Sequence, residues 1–92
     1  MDFKIALIKG DGIGPEIIDA TIPVLEKVGE VYNHKFYFQE VLAGGCSIDK
    51  IGVPITDEAL DVCRKSDAVM LGAVGGPKWD NLPGDKRPEV AL

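Results

Sequence analysis

The sequence has few of the residues that carry nucleophilic or metal chemistry. It contains one histidine, His34, and two cysteines, Cys46 and Cys63, among 92 residues. The cysteines are too far apart for the CxxC spacing of a redox or zinc pair, so we expect two free thiols in a reducing compartment. His34 lies in the polar stretch YNHK, which favours an exposed side chain. No pairing of a nucleophile with a base, no zinc spacing and no P-loop lysine occurs.

Long apolar runs, a secretion signal and an excess of positive charge are missing as well. No segment approaches the ~20 apolar residues of a membrane helix. The N-terminal MDFKIALIKG lacks the cleavage site of a signal peptide. The net charge of −5 disfavours nonspecific binding to nucleic acid or anionic lipid. We therefore expect a cytoplasmic protein with a small-molecule ligand and with no nucleic-acid or membrane partner.

The residues that are present describe one small globular domain. Hydrophobic residues make up 46% of the chain and charged residues 27%, which is typical of soluble proteins. A chain of this length buries only about two-thirds of the surface that its unfolded form exposes. One modest core is therefore the limit.

Apolar runs and helical patterns alternate along the chain. Three runs rich in apolar, β-branched and aromatic residues predict strands, and two periodic segments predict helices. Pro15 suits a first helical position, Thr56 suits a helix N-cap, and Pro23 predicts a kink. The predicted elements are strands at Phe3–Ile8, Lys35–Leu42 and 68–71 and helices from Pro15 to about Val28 and from Thr56 to Lys65. This βαβαβ order predicts an α/β fold with a parallel sheet, whose ligands bind at the carboxyl ends of the strands.

The glycine-rich turn IKGDGIGPEII follows the first predicted strand. Gly10 and Gly12 fit the dinucleotide fingerprint G-x-G-x-x-G, and Glu40 could take the place of its ribose-binding acid, but Pro15 occupies the third glycine position. The alternative is a tight turn without chemistry, in which Asp11 or Glu16 lies at the helix N-terminus and competes with a phosphate for the same amides. These residues leave both readings open.

The segment from Gly72 to Glu89 has no helical or strand period. Loops of this length are usually functional or disordered, and Trp79 favours an ordered one because a large aromatic side chain normally packs. Its three cations are matched by three acids, which favours a mixed, solvated surface over an anion site. The acids near the start of the second helix match the helix dipole better than a metal site. From these residue types we expect no catalytic or metal-binding residue in the chain.

Three longer motifs resemble a known enzyme family. GDGIGPE at residues 10–16 is similar to the opening of the β-decarboxylating dehydrogenases. GGCSIDKIGVPI at 44–55 and DAVMLGAVGGPKWDNLPGDKRPEVAL at 67–92 resemble the isopropylmalate dehydrogenase branch of that family, most specifically in GAVGGPKWD followed by RPE. The similarity covers the whole chain, and Lys9 stands where the family often has a proline.

The resemblance implies NAD-dependent oxidation and decarboxylation of 3-isopropylmalate, assisted by Mg²⁺ or Mn²⁺, on a fold that is not a true Rossmann fold. It places Ile13 against the cofactor, Glu89 near the nicotinamide ribose and Leu92 against the isopropyl group of the substrate. The expected cofactor border after the third strand comprises Gly76, Pro77, Lys78, Trp79, Asp80, Asn81, Leu82, Pro83, Gly84, Asp85, Lys86, Arg87, Pro88 and Glu89.

The resemblance also implies that some functional residues of the family lie outside residues 1–92. It implies that residues 1–92 are the N-terminal part of the first, cofactor-side domain, and that the catalytic residues, the metal ligands and the contacts of the family's homodimer lie elsewhere. We therefore expect an N-terminal fragment that is inactive alone. The alternatives are a free-standing nucleotide-binding module and an inert structural fragment.

Overall fold

The fold of the chain is an α/β arrangement of three strands and three helices. The computed structural model describes residues 1–92. Three short 3-10 helices follow the last strand, at Pro77–Trp79, Gly84–Lys86 and Pro88–Ala91. The main elements are β1 (Asp2–Gly10), α1 (Gly14–Tyr32), β2 (Lys35–Glu40), α2 (Gly45–Ile51), α3 (Asp57–Lys65) and β3 (Ala68–Ala73).

The three strands form one parallel sheet in the order β2-β1-β3. Ile5 of β1 pairs with Phe38 of β2, and Leu7 of β1 pairs with Met70 of β3. The prediction of a parallel α/β sheet is confirmed. Because β1 is central and the strands are parallel, the turn after β1 and the loop after β3 leave the same edge of the sheet.

The core lies between β1 and α1. Ile5, Leu7 and Ile18 form its buried centre. Partly buried apolar side chains pack around it from the strands and the helix: Phe3, Ile22, Phe36, Phe38 and Met70. Ala6 and Ile8 alternate with the first two residues and are also buried, so β1 is covered on both faces, as its apolar run predicts.

The ends of the helices follow local signals. Pro15 lies in the first turn of α1, and Asn33 ends that helix in the left-handed conformation with φ 60°. The hydroxyl of Thr56 accepts a hydrogen bond of 3.1 Å from the amide of Ala59, which confirms the predicted N-cap of α3. Helix α1 contains Pro23 and continues past it to Tyr32, beyond the predicted end near Val28.

Helix α2 was not predicted, because the glycines at its start indicated only a break. The segment around it closes on itself: the Gly44 amide donates to the Pro54 carbonyl at 2.8 Å, and the buried Ser47 hydroxyl donates to the Val53 carbonyl at 2.7 Å. These contacts stabilise a helix that is too short to show a period. The three 3-10 helices after β3 are also too short to show a period, and no secondary structure was predicted there.

His34 was predicted to be exposed, and this prediction was wrong. The side chain is half-buried, with its ring edge-on to Phe3 at a centroid distance of 5.5 Å. Its Nδ1 lies 3.2 Å from the N-terminal amine of Met1. The turn between α1 and β2 therefore packs on the start of β1 instead of projecting into solvent.

Part of the apolar surface is uncovered. Val69 and Leu71 of β3 are 45% and 43% exposed, and Val24, Val31 and Tyr32 of α1 are exposed as well. Three strands and three helices thus leave an edge strand and one helix face open. No helix combines the length and the apolar character that crossing a membrane requires.

Candidate functional site

The carboxyl edge of the sheet brings together the glycine turn after β1 and the loop after β3. Gly10 pairs with Ala73 at the end of the β1–β3 ladder, and the amide of Asp11 donates to the Ala73 carbonyl at 2.7 Å. The Gly14 amide then donates to the carbonyl of Asp11 at 2.9 Å and closes the turn into α1. Both segments that the sequence singled out for a ligand therefore meet at one place.

The carboxylate of Asp11 is the centre of this edge. It is 5% exposed and accepts three backbone hydrogen bonds. Oδ2 accepts from the amides of Gly45 at 2.6 Å and Gly75 at 2.8 Å, and Oδ1 accepts from the amide of Cys46 at 2.7 Å. A carboxylate is an acceptor only, so three amides satisfy it well without a cation. This side chain joins the glycine turn, helix α2 and the loop after β3.

The position of Asp11 corrects part of the sequence prediction. An acid was expected at the N-terminus of the first helix, and Glu16 does lie in the first turn of α1. The Asp11 side chain instead binds the amides that begin α2, a helix that the sequence did not predict. The Asp11 carboxylate therefore binds amides at the start of α2, whereas Glu16 is the acid at the start of α1.

A second attachment runs from α2 to the loop after β3. Asp49 accepts a hydrogen bond of 2.7 Å from Lys78 Nζ and one of 3.3 Å from Trp79 Nε1. The hydrogen bond from Lys78 is the main reason why the pKa of Asp49 is lowered. Lys78 and Asp49 are exposed, so this ion pair helps to position the loop more than it stabilises the fold.

Trp79 packs on Gly45, as the expectation of an ordered loop requires. A Cβ atom added at Gly45 would lie 2.2 Å from Cζ2 of the Trp79 ring. Only a residue without a side chain allows the indole to approach the start of α2 so closely. The ring is half-buried there, with Lys78 Nζ 5.5 Å from its centroid.

Gly45→Ala is expected to displace the indole of Trp79 and to lower the free energy of unfolding by about 1–3 kcal/mol, the usual cost of overpacking. Urea unfolding and the emission of Trp79 measure the two effects. Gly84→Ala, in the loop that contains Trp79, is the control, because a Cβ there meets nothing within 4 Å. Equal emission spectra for the two variants and the wild type would contradict the packing argument.

The far end of the loop is held by other contacts. Arg87 Nη2 donates to the Asp80 carbonyl at 3.0 Å, and Arg87 Nε is buried without a hydrogen-bond partner. Pro88 is fully buried. The carboxylate of Glu89 lies beside Gly75, where an added Cβ would be 2.6 Å from Oε1. The loop thus folds back on its own start.

The residues that the resemblance assigned to the cofactor lie along this edge and differ in exposure. Ile13 is 60% exposed, in the turn that Asp11 anchors, and Leu92 is 73% exposed at the other end of the segment. Pro88 is buried. The half-buried ones are Gly76, Trp79, Leu82 and Arg87, and the exposed ones are Pro77, Lys78, Asp80, Asn81, Pro83, Gly84, Asp85, Lys86 and Glu89.

The grooves of the surface lie away from this edge. The one between β2 and α3 has a volume of about 390 Å³ and is lined by Lys4, Tyr37 and Ser66 among others. None of the three grooves is lined by Asp11, Ile13 or Glu89. No three His, Cys, Asp or Glu residues lie close enough together to hold a metal ion.

Glu40 does not serve as a free acid at the site. Its carboxylate lies 3.8 Å from Lys9 Nζ, which also contacts Asp19 at 2.9 Å. The hydrogen bond to Asp19 is the main reason why the pKa of Lys9 is raised. Lys9 thus links β1, α1 and β2, and Glu40 takes part in that link.

Both cysteines are free thiols. Cys46 Sγ lies 3.2 Å from the Ala43 carbonyl, and burial raises the pKa of its thiol. A raised pKa keeps the sulfur protonated and makes it a poor nucleophile. Cys46 therefore contributes to this edge through its backbone amide, which donates to the Asp11 carboxylate.

Comparison with known proteins gives a consistent family. The sequence profile described as Isocitrate/isopropylmalate dehydrogenase matches residues 4–92. The chain is 63% identical over 91 residues to the 3-isopropylmalate dehydrogenase of Clostridium acetobutylicum and 59% identical over 90 residues to that of Aquifex aeolicus. These matches cover 99% and 98% of this chain. The chain spans about a quarter of the length of these relatives, 26% and 25%.

Solved structures agree with the fold. A β-decarboxylating dehydrogenase from Thermococcus kodakarensis matches 89% of this chain with a TM-score of 0.73 and 39% identity. An isocitrate dehydrogenase from Methylococcus capsulatus matches 82% of it with a TM-score of 0.72 and 36% identity. The matches cover 23% and 21% of those chains.

Proposed function

The chain belongs to the isocitrate/isopropylmalate dehydrogenase family, and on that premise we propose that it is part of a 3-isopropylmalate dehydrogenase. The reaction is the NAD-dependent oxidation and decarboxylation of 3-isopropylmalate to 4-methyl-2-oxopentanoate, the precursor of leucine. The observation that carries this proposal is the identity of 63% and 59% to two 3-isopropylmalate dehydrogenases across almost the whole chain. The two solved structures, a β-decarboxylating dehydrogenase and an isocitrate dehydrogenase, are less similar to this chain, with 39% and 36% identity.

NAD is the proposed cofactor, and it accepts the hydride of the oxidation when bound. The candidate border is the carboxyl edge of the sheet, where parallel α/β folds place their ligands. Ile13 offers an exposed apolar side chain to a flat ring, and the carboxylate of Glu89 beside Gly75 can accept hydrogen bonds from ribose hydroxyls. The segment Gly76–Glu89 begins directly after Gly75 and ends at Glu89. These features support a role for residues 1–92 as the N-terminal part of the cofactor-side domain.

Substrate contact in this chain is proposed for Leu92, whose exposed apolar side chain suits the isopropyl group of 3-isopropylmalate. The chain offers no set of side chains for Mg²⁺ or Mn²⁺. We therefore assign the metal to other parts of the enzyme, and the family resemblance implies the same for the homodimer contacts. The cytoplasm remains the expected location.

A chimeric enzyme tests the proposed function. Residues 1–92 replace the matching quarter of the Clostridium acetobutylicum enzyme, and the purified chimera is assayed with NAD and either 3-isopropylmalate or isocitrate. We expect NAD reduction with 3-isopropylmalate and little with isocitrate. The unaltered relative is the positive control. A folded chimera without turnover, or with a preference for isocitrate, would overturn the proposal.

A further inference from the structure

We infer that Asp11 is a positioning residue, whose carboxylate fixes the segment 74–89 to the glycine turn and so sets the place of the cofactor border. The attachment itself depends only on contacts of this chain. Its consequence for NAD rests on the proposed function.

The attachment to the segment is both direct and indirect. Directly, Asp11 Oδ2 accepts from the amide of Gly75, 64 positions along the chain and immediately before the proposed cofactor residues. Indirectly, it holds the first amides of α2, and α2 holds Lys78 and Trp79 through Asp49. The carboxylate of one residue therefore governs two points of contact with the segment.

These contacts hold the start of the segment in place. Gly75 has φ +99°, a left-handed conformation that glycine adopts without strain. Residues 74–92 contain no helix longer than four residues. The 3-10 helices after β3 have three or four residues each and do not hold themselves. A buried anion that accepts three amides supplies the anchor that the segment lacks on its own.

Two substitutions of Asp11 remove different numbers of its hydrogen bonds. Asp11→Ala removes both acceptor oxygens and leaves the three amides without partners. Asp11→Asn keeps one oxygen, which can occupy the Oδ2 position and accept from Gly45 and Gly75. Its amide nitrogen then faces the Cys46 amide, donor against donor. The asparagine variant is thus expected to retain the direct link and to weaken the start of α2.

The test uses the 92-residue chain with Trp79, its single tryptophan, as the reporter. Asp11→Ala is expected to shift the emission of Trp79 to the red. It is also expected to speed amide exchange in 74–89 about tenfold or more, because buried hydrogen bonds that hold the segment are lost, while the amide exchange of β1 and α1 changes little. Asp11→Asn should give a smaller change. Asp85→Asn, an exposed acid of the same loop without a side-chain partner, is the charge-matched control and should give none.

The outcomes separate positioning from general stability. Unchanged emission and exchange of 74–89 in Asp11→Ala would overturn the inference. Equal loss of protection across all amides in both variants would also overturn it, because it would mean that Asp11 only stabilises the fold. If Asp11→Ala does not fold, the exchange pattern of Asp11→Asn decides.

Titration with NAD tests the consequence for the cofactor. If the unaltered chain binds NAD, Asp11→Asn is expected to raise the dissociation constant, whereas Glu26→Gln, at an exposed acid of α1 outside the proposed border, is expected to leave it unchanged. If the unaltered chain does not bind NAD, the cofactor proposal for this chain fails. The exchange and emission data still decide whether Asp11 positions the segment.

Discussion

Replacing Gly10 by alanine is expected to lower the free energy of unfolding of the chain by about 3–5 kcal/mol, which is enough to unfold a marginal domain. Gly10 has φ +76°, where a side chain is strained, and an added Cβ would lie 1.7 Å from the carbonyl oxygen of Ala73. That oxygen is a backbone atom and accepts a hydrogen bond from the amide of Asp11. It cannot move without breaking the hydrogen bond that joins the turn to β3. Urea unfolding followed by circular dichroism measures the loss.

Gly12 is the matched control for this prediction. Its φ of +57° is also left-handed, but an added Cβ meets nothing within 4 Å. Gly12→Ala should therefore lower the free energy of unfolding only by the strain of the left-handed conformation, about 1–2 kcal/mol. Equal losses for the two variants would show that conformation alone explains the glycines of the turn and that close packing against β3 contributes nothing.

The contrast between these glycines bears on what the sequence could predict. The sequence predicted a turn, because glycines with a proline behind them are typical of a strand-to-helix connection. It could not show which glycine packs against backbone, since Ala73 lies far along the chain. The fold itself was predictable, because continuous apolar runs separated by helical patterns have one common arrangement in a parallel sheet.

The missed part of the candidate site depends on contacts between distant residues. Helix α2 has seven residues, so no period could identify it, and its stability comes from Ser47 and from the Asp11 carboxylate. The role of Asp11 had a weak signal, an acid between two glycines at the end of a buried strand. That signal indicates a close approach of backbone but does not say which backbone approaches.

The core under the sheet provides the second large prediction. Ile18→Ala is expected to lower the free energy of unfolding by about 2–5 kcal/mol, because Ile18 is 1% exposed and packs against Ile5 and Leu7. The variant loses buried apolar area and leaves a cavity beneath β1. In a domain with three residues at the buried centre of its core, this cavity removes a large part of the total stability.

Ile17→Ala provides the control on the same helix. Ile17 is the neighbouring residue and is 42% exposed, so its truncation removes the same atoms from a surface position. Its expected cost is below about 1 kcal/mol, since alanine also favours the helix. Urea midpoints of the two variants give the comparison directly. If Ile17→Ala costs as much as Ile18→Ala, the outer face of α1 is buried in solution and the exposed apolar surface of the chain is covered by a partner.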